Sequence, residues 1–287
     1  MRGLPRLRIA VPLAVAMLVV PALAVAAYAH GYDVSWPQCG ESLPVDGEVR
    51  VVGVNGGKPF EDNPCLADQY RWANEAPTAA FYMNTSNPGT ASTVVDWYNQ
   101  KSPNALCSRS DEAACAFNYG YNAAKHAFAT ALRETRAASQ HMWWLDVETT
   151  NSWSSDKAAN TAGVLGAVAY LRTQGVPVGI YSTGYQWGQI TGGAALVEVP
   201  NWVAGARNRG QAETWCGPER SFTGGPVLLV QWVEGDLDHN HVCAPLPTVS
   251  PRPLPGPAGP AGLDVVLEDL LSLNLPKLLG DLGLAPR

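Results

Sequence analysis

Between Gly31 and about Ala244 the chain alternates short apolar runs, rich in β-branched and aromatic residues, with longer stretches of helical character. That alternation narrows the fold sharply. Consecutive strands joined through helices lie parallel, because a tight turn can only bring the next strand back antiparallel. The runs at 31–36, 51–55, 79–84, 141–148, 176–182, 201–204 and 226–232 have strand character, and the segments 64–75, 119–138 and 156–174 read as helices. Asn63 ahead of Pro64 is cap chemistry followed by proline at the first helical position. Asp156 can cap a run whose apolar stripe is Ala162, Leu165, Val168 and Ala169. Seven strand candidates predict one α/β domain over residues 30–244, closed into a TIM-like (β/α) barrel.

The flanks differ in composition from this body. Residues 1–29 place Arg2, Arg6 and Arg8 before an apolar run at 9–27 and close on Ala27-Tyr28-Ala29, the pattern of a cleaved secretory signal peptide. An uncleaved anchor is the alternative, since the run is long enough to span a bilayer, and only in that form would a membrane be a partner. Pro12 and Pro21 interrupt the run and favour cleavage. Residues 245–262 hold seven of the 23 prolines and read as an extended linker. Beyond it, residues 263–287 form a Leu-rich amphipathic tail, with Leu263, Val266, Leu267, Leu270 and Leu271 at helical spacing.

Composition sets the compartment and excludes some partners. At 46% hydrophobic and 15% charged the chain can bury a full core, and a formal net charge of −6 argues against nucleic acid. All six cysteines, Cys39, Cys65, Cys107, Cys115, Cys216 and Cys243, follow the signal segment, so disulfides and a secreted or cell-envelope location are expected. Pairing neighbours gives Cys39–Cys65, Cys107–Cys115 and Cys216–Cys243, one of 15 possible connectivities, among which the sequence does not choose. No Cys-x-x-Cys occurs, and we expect no metal site, the alternative being His239 and His241 beside Asp236 and Asp238. We expect a monomer that needs no cofactor.

The densest chemistry lies in Trp143-Trp144-Leu145-Asp146-Val147-Glu148, a hydrophobic strand ending in two carboxylates one residue apart. Strand period two puts both on one face, and the C-terminal ends of parallel barrel strands form the mouth where substrates bind. Adjacent carboxylates repel, which raises one pKa and leaves one group protonated beside one ionised, the division of labour that glycoside hydrolysis needs. Asp33, in Gly31-Tyr32-Asp33-Val34-Ser35-Trp36, can open to the same mouth, and the strand ending in Gln231-Trp232 leads into an acid-rich loop, Gly235-Asp236-Leu237-Asp238-His239-Asn240.

These pieces resemble, in order, the family 25 glycoside hydrolases, the lysozyme or muramidase family, over roughly residues 31–243. Tyr32-Asp33-Val34-Ser35 is similar to the family's opening Asp-Val-Ser, and Ala80-Phe81-Tyr82 to its Tyr-His-Phe strand. Leu145-Asp146-Val147-Glu148 matches its Asp-x-Glu strand, and Val178-Gly179-Ile180-Tyr181-Ser182 its Gly-x-Tyr strand. Asn201-Trp202-Val203-Ala204 and Gln231-Trp232 resemble its later Trp and Gln-Tyr strands.

The resemblance implies an irregular barrel of five βα units completed by three further strands. It implies Glu148 as the general acid, Asp146 as its partner, Asp33 as a supporting acid and Asp238, rather than Asp236, as the fourth. Tyr82, Tyr181, Trp202, Gln231 and Trp232 are the expected sugar-binding residues, with Tyr181 and Trp232 the first choices for stacking on sugar faces. The implied activity is hydrolysis of β-1,4 bonds in the cell-wall glycan, peptidoglycan. The chain departs from the family at Val52-Gly53-Val54-Asn55-Gly56-Gly57, where members carry Lys-Ala-Thr-Glu-Gly, and at Met83-Asn84 after Tyr82. Those departures suit a divergent, cysteine-containing secreted bacterial branch, and they motivate the alternative of a non-catalytic glycan-binding module on the same barrel.

Overall fold

The computed structural model describes residues 30–89, 103, 107 and 112–249. Eight strands close in sequence order into one barrel. They are β1 (His30–Val34), β2 (Val49–Gly53), β3 (Thr78–Asn84), β4 (Met142–Asp146), β5 (Val178–Ser182), β6 (Asn201–Ala206), β7 (Val227–Glu234) and β8 (Leu237–Val242). The first seven run parallel, while β8 turns back on β7 as a hairpin and pairs antiparallel with both β7 and β1. Five helices follow strands β2 to β6: α1 (Leu66–Ala73), α2 (Glu112–Thr135), α3 (Lys157–Thr173), α4 (Gly184–Thr191) and α5 (Arg209–Glu213). Five βα units and three further strands are therefore present, as the sequence resemblance implied.

Period two divides every strand between an inner and an outer layer. Inside lie Val49, Val51, Ala80, Met142, Trp144, Trp202 and Leu229, which fill the barrel below its mouth. Outside, Val52, Phe81, Met83, Trp143, Leu145, Val178 and Ile180 pack with residues of the helices, among them Leu66, Ala124, Phe128, Val164 and Leu171. Two indole rings fill the inside because a neighbour gives way. A Cβ on Gly179 would fall on the Trp144 ring, so β5 carries glycine where β4 carries its largest residue.

Local capping follows the expectation at α3 but not at α1, which starts at Leu66 after Cys65 with no side-chain cap, so that Asn63 and Pro64 precede the helix. Asp156 accepts from the backbone N–H groups of Ala158 and Ala159 and starts α3, and Thr183 accepts from Gln186 and starts α4. Three further differences from the sequence reading stand out. The segment containing Asp238 is strand β8, α2 begins at Glu112 instead of at residue 119, and the packed body runs on past Ala244, with Leu246 buried inside the barrel and Val249 against the outer core. The expected signal segment, most of the linker and the Leu-rich tail lie outside the described residues.

All three disulfides join sequence neighbours: Cys39–Cys65, Cys107–Cys115 and Cys216–Cys243. No helix among the described residues is long and apolar enough to cross a membrane.

Candidate active site

The parallel strands deliver their C-terminal residues to one end of the barrel, and four carboxylates converge there. Asp146 ends β4 and is 6% exposed, and Glu148, two residues on, is half-buried on the same face. Asp33 on β1 is 5% exposed and stands directly opposite Asp238 on β8. Asp236 instead sits exposed on the β7–β8 turn.

Each acid has its own support. Asp146 Oδ2 accepts from Asn84 Nδ2 at 2.5 Å, while Oδ1 is buried. Asp33 accepts from Gln231 Nε2 at 3.1 and 3.0 Å and from Asn240 Nδ2 at 2.6 Å. Both amides are fixed in orientation, because Tyr181 Oη donates to Gln231 Oε1 and Trp202 Nε1 donates to Asn240 Oδ1, each at 2.7 Å. Glu148 Oε1 accepts from Gln186 Nε2 at 3.3 Å.

Burial and mutual repulsion load this cluster with protons. Burial first, then the charge of Asp238, pushes Asp33 up to about 8, two amide donors notwithstanding. Burial and then the Glu148 charge raise Asp146 well above the usual carboxylate range, and the same two causes raise Asp238. The Tyr82 and Tyr181 hydroxyls are likewise raised by burial and stay neutral. At neutral pH the mouth therefore holds protonated carboxyl groups beside acceptors, which is a site able to give a proton to a substrate oxygen.

The expected sugar-binding residues separate into two groups. Tyr82 and Tyr181 are half-buried at the mouth, their rings against Trp202 at 6.3 and 4.7 Å. Trp202 is 1% exposed and forms the floor beneath them, so it cannot present a face to a sugar. Trp232 departs from expectation altogether. It follows Gln231, and period two turns it to the outer layer, where it packs with Val203, Ala206 and Val230 and stacks on His239. Gln231 has both amide ends engaged and holds Asp33 in place. Among the described residues, exposed aromatic rings near the strand ends include Trp36, just past β1, and Tyr185, in the first turn of α4.

The alternation along β8 also separates the groups of the alternative metal reading. Asn240 points inward to Asp33 and Trp202, while His239 faces out to Trp232 and Tyr32. The group of three possible ligands among the described residues is Cys216, His241 and Cys243, and its two sulfurs form a disulfide.

Sequence reasoning missed Asn84, Asn240 and Gln186. Two of these carried a signal. Asn84 lies at the period-two position after Tyr82, in a segment that departs from the family pattern, and Asn240 lies two residues after Asp238. The other departure, Asn55, belongs to the same support: its Oδ1 accepts from the Asn84 backbone N–H at 3.0 Å. Gln186 sits on a helix too short to show periodicity.

Residues 91–215 match the family model described as Lysozyme-like protein 1. A curated protein of Dictyostelium discoideum, "Probable GH family 25 lysozyme 4", is 38% identical over 68 residues, which is 23% of this chain and 32% of that protein. The match thus spans about a third of the relative's length. A family GH25 lysozyme from Aspergillus fumigatus is similar with a TM-score of 0.49 at 14% identity, over 84% of this chain and 98% of the other. The catalytic domain of endolysin ply40, from a bacteriophage of Listeria monocytogenes, gives 0.45 at 14% identity over 76% and 94%. The chain is thus similar to the lysozyme-like family model over residues 91–215 and to a family 25 lysozyme over 68 residues.

Proposed function

We propose that the chain is a secreted muramidase-type glycoside hydrolase that cleaves β-1,4 bonds of peptidoglycan. The observation that carries this reading is the pair Asp146 and Glu148 at the end of β4, facing Asp33 and Asp238 in a proton-loaded mouth. Of the β4 pair, Asp146 is the buried member and Glu148 the accessible one, so Glu148 is the group a glycosidic oxygen can reach. Glu148 gives a proton to the leaving oxygen, and Asp146 assists the displacement. Tyr82 and Tyr181 border the bound sugar. Three disulfides support export to an oxidising compartment.

The test is release of reducing ends from purified peptidoglycan by the oxidised protein between pH 4 and 8, wild type beside Glu148→Gln. Wild-type release that falls by at least ~100-fold in the variant is expected for loss of a general acid. No release by wild type, with binding to the same glycan retained in a pull-down, would replace this reading with a non-catalytic wall-binding module.

A further inference from the structure

Gln186 occupies the first turn of α4, on a different element from the four acids, and its amide is held in one orientation. Its Oε1 accepts from the Thr149 backbone N–H at 2.6 Å and from the Thr149 hydroxyl at 2.9 Å. A backbone N–H can only donate, so that end of the amide is the oxygen, and the –NH₂ end is turned toward Glu148. The helix start fixes the rest: Gln186 N donates to Thr183 Oγ1 at 3.0 Å, which anchors the residue's backbone at the mouth. Nε2 then stands 3.3 Å from Glu148 Oε1. The other groups that act on Glu148 electrostatically, Asp146 on β4, Asp33 on β1, Asp238 on β8 and Tyr181 on β5, are acids or a phenol. Among the described residues Gln186 is the side-chain donor that grips this carboxyl.

We infer that Gln186 is a positioning residue for the acid step: it holds Glu148 Oε1 through a fixed amide donor and so leaves Oε2 to carry the proton to the glycosidic oxygen. This rests on the hydrolase reading above. In the step itself the Oε2–H bond breaks and an O–H bond forms on the glycosidic oxygen. The C1–O bond breaks, its electron pair stays on that oxygen, and the alcohol leaves. Water then supplies the hydroxyl group to C1 and the proton that restores Glu148. A carboxyl group free to rotate presents its proton in the wrong direction for much of the time, and small misplacements of reacting groups cost rate steeply.

The consequence depends on the leaving group, which separates positioning from a general effect on structure. A poor leaving group, the sugar hydroxyl of the natural glycan, needs the proton, whereas an activated aryl glycoside departs as a stable phenolate and does not. Gln186→Leu removes both ends of the amide. Gln186→Glu keeps an oxygen for Thr149 and replaces the donor by a carboxylate oxygen that faces Glu148. Both variants are expected to lose about 10-fold in kcat on the natural glycan, with KM within about twofold of wild type, and to match wild type on the aryl glycoside. Circular dichroism and the thermal midpoint of each variant report whether the fold is kept.

Three results overturn the inference while leaving the hydrolase reading intact: an unchanged kcat in Gln186→Leu, a wild-type kcat in Gln186→Glu, or an equal loss on both substrates. The second would mean that Gln186 acts only by holding Thr149. A wild-type protein inactive on both substrates overturns the hydrolase reading and this inference with it.

Discussion

Asp33 is a carboxyl group enclosed between two oriented amides and a facing aspartate, and its protonation follows from that enclosure. Its pKa stands at about 8, against about 4 in an unfolded chain, so the folded protein binds an extra proton between those values. The sign is fixed. The contribution of Asp33 to stability is fully present below pH 4 and is lost as pH rises toward and through 8. In Asp33→Asn that contribution disappears, leaving a cost that does not change with pH. The difference in unfolding free energy between variant and wild type should therefore move in the variant's favour from pH 4 to pH 8, as read by urea denaturation at several pH values. A difference that stays constant with pH would show that folding leaves the Asp33 pKa unshifted. At this scale the acids themselves were legible in the sequence, since Asp-x-Glu at a strand end carries its own geometry. Their amide partners were less so, because a hydrogen bond between β1 and residues about 200 positions later leaves no local pattern.

Elements were legible where periodicity was long or strongly apolar. The runs 79–84, 141–148 and 176–182 and the helices near 64–75 and 156–174 appear close to where the pattern puts them. Strand β8 was not, because Asp238, His239, Asn240 and His241 read as a polar loop. Its polarity is the signature of its position, with an inner face lining the mouth and an outer face covered by aromatic rings. Trp232 shows the reverse error, a residue type suited to a sugar site on the wrong side of a strand. The pairing of α2 with α3 is finer still. Gly120 of α2 approaches α3 so closely that an added Cβ would fall on the carbonyl oxygen of Gly163. On an isolated helix, glycine to alanine gains up to about 1 kcal/mol. Here the steric conflict is with backbone, which cannot rotate away, and overpacking of this kind costs about 1–3 kcal/mol. Gly120→Ala should therefore destabilise the protein, measured by urea unfolding. A stabilised variant would mean that the two helices separate readily and that their close approach is not needed.

For the molecule as a whole, the barrel must be closed by a strand that no helix leads into, and that strand carries two of the residues that build the site. β8 supplies Asp238 and Asn240 and joins β7 to β1, bringing the last strand against the first. Cys243 follows β8 immediately, and its disulfide ties that end to Cys216, just past α5, across a separation of 27 residues. Cys39–Cys65 closes a span of 26 residues, while Cys107–Cys115 closes only 8. Since a cross-link acts mainly by restricting the unfolded chain, the two longer loops should each contribute about 3–4 kcal/mol and the short one about 2–3 kcal/mol. Paired cysteine-to-alanine variants, unfolded in urea, should rank in that order. Function should follow a different order, because only Cys216–Cys243 is attached to the strand that carries Asp238 and Asn240. Its removal should lower glycan release under conditions where the variant remains folded, while removal of Cys39–Cys65, of nearly equal loop length, should lower stability with less effect on release. Equal losses of release in the two variants would show that β8 keeps its place through its ladders with β1 and β7 alone.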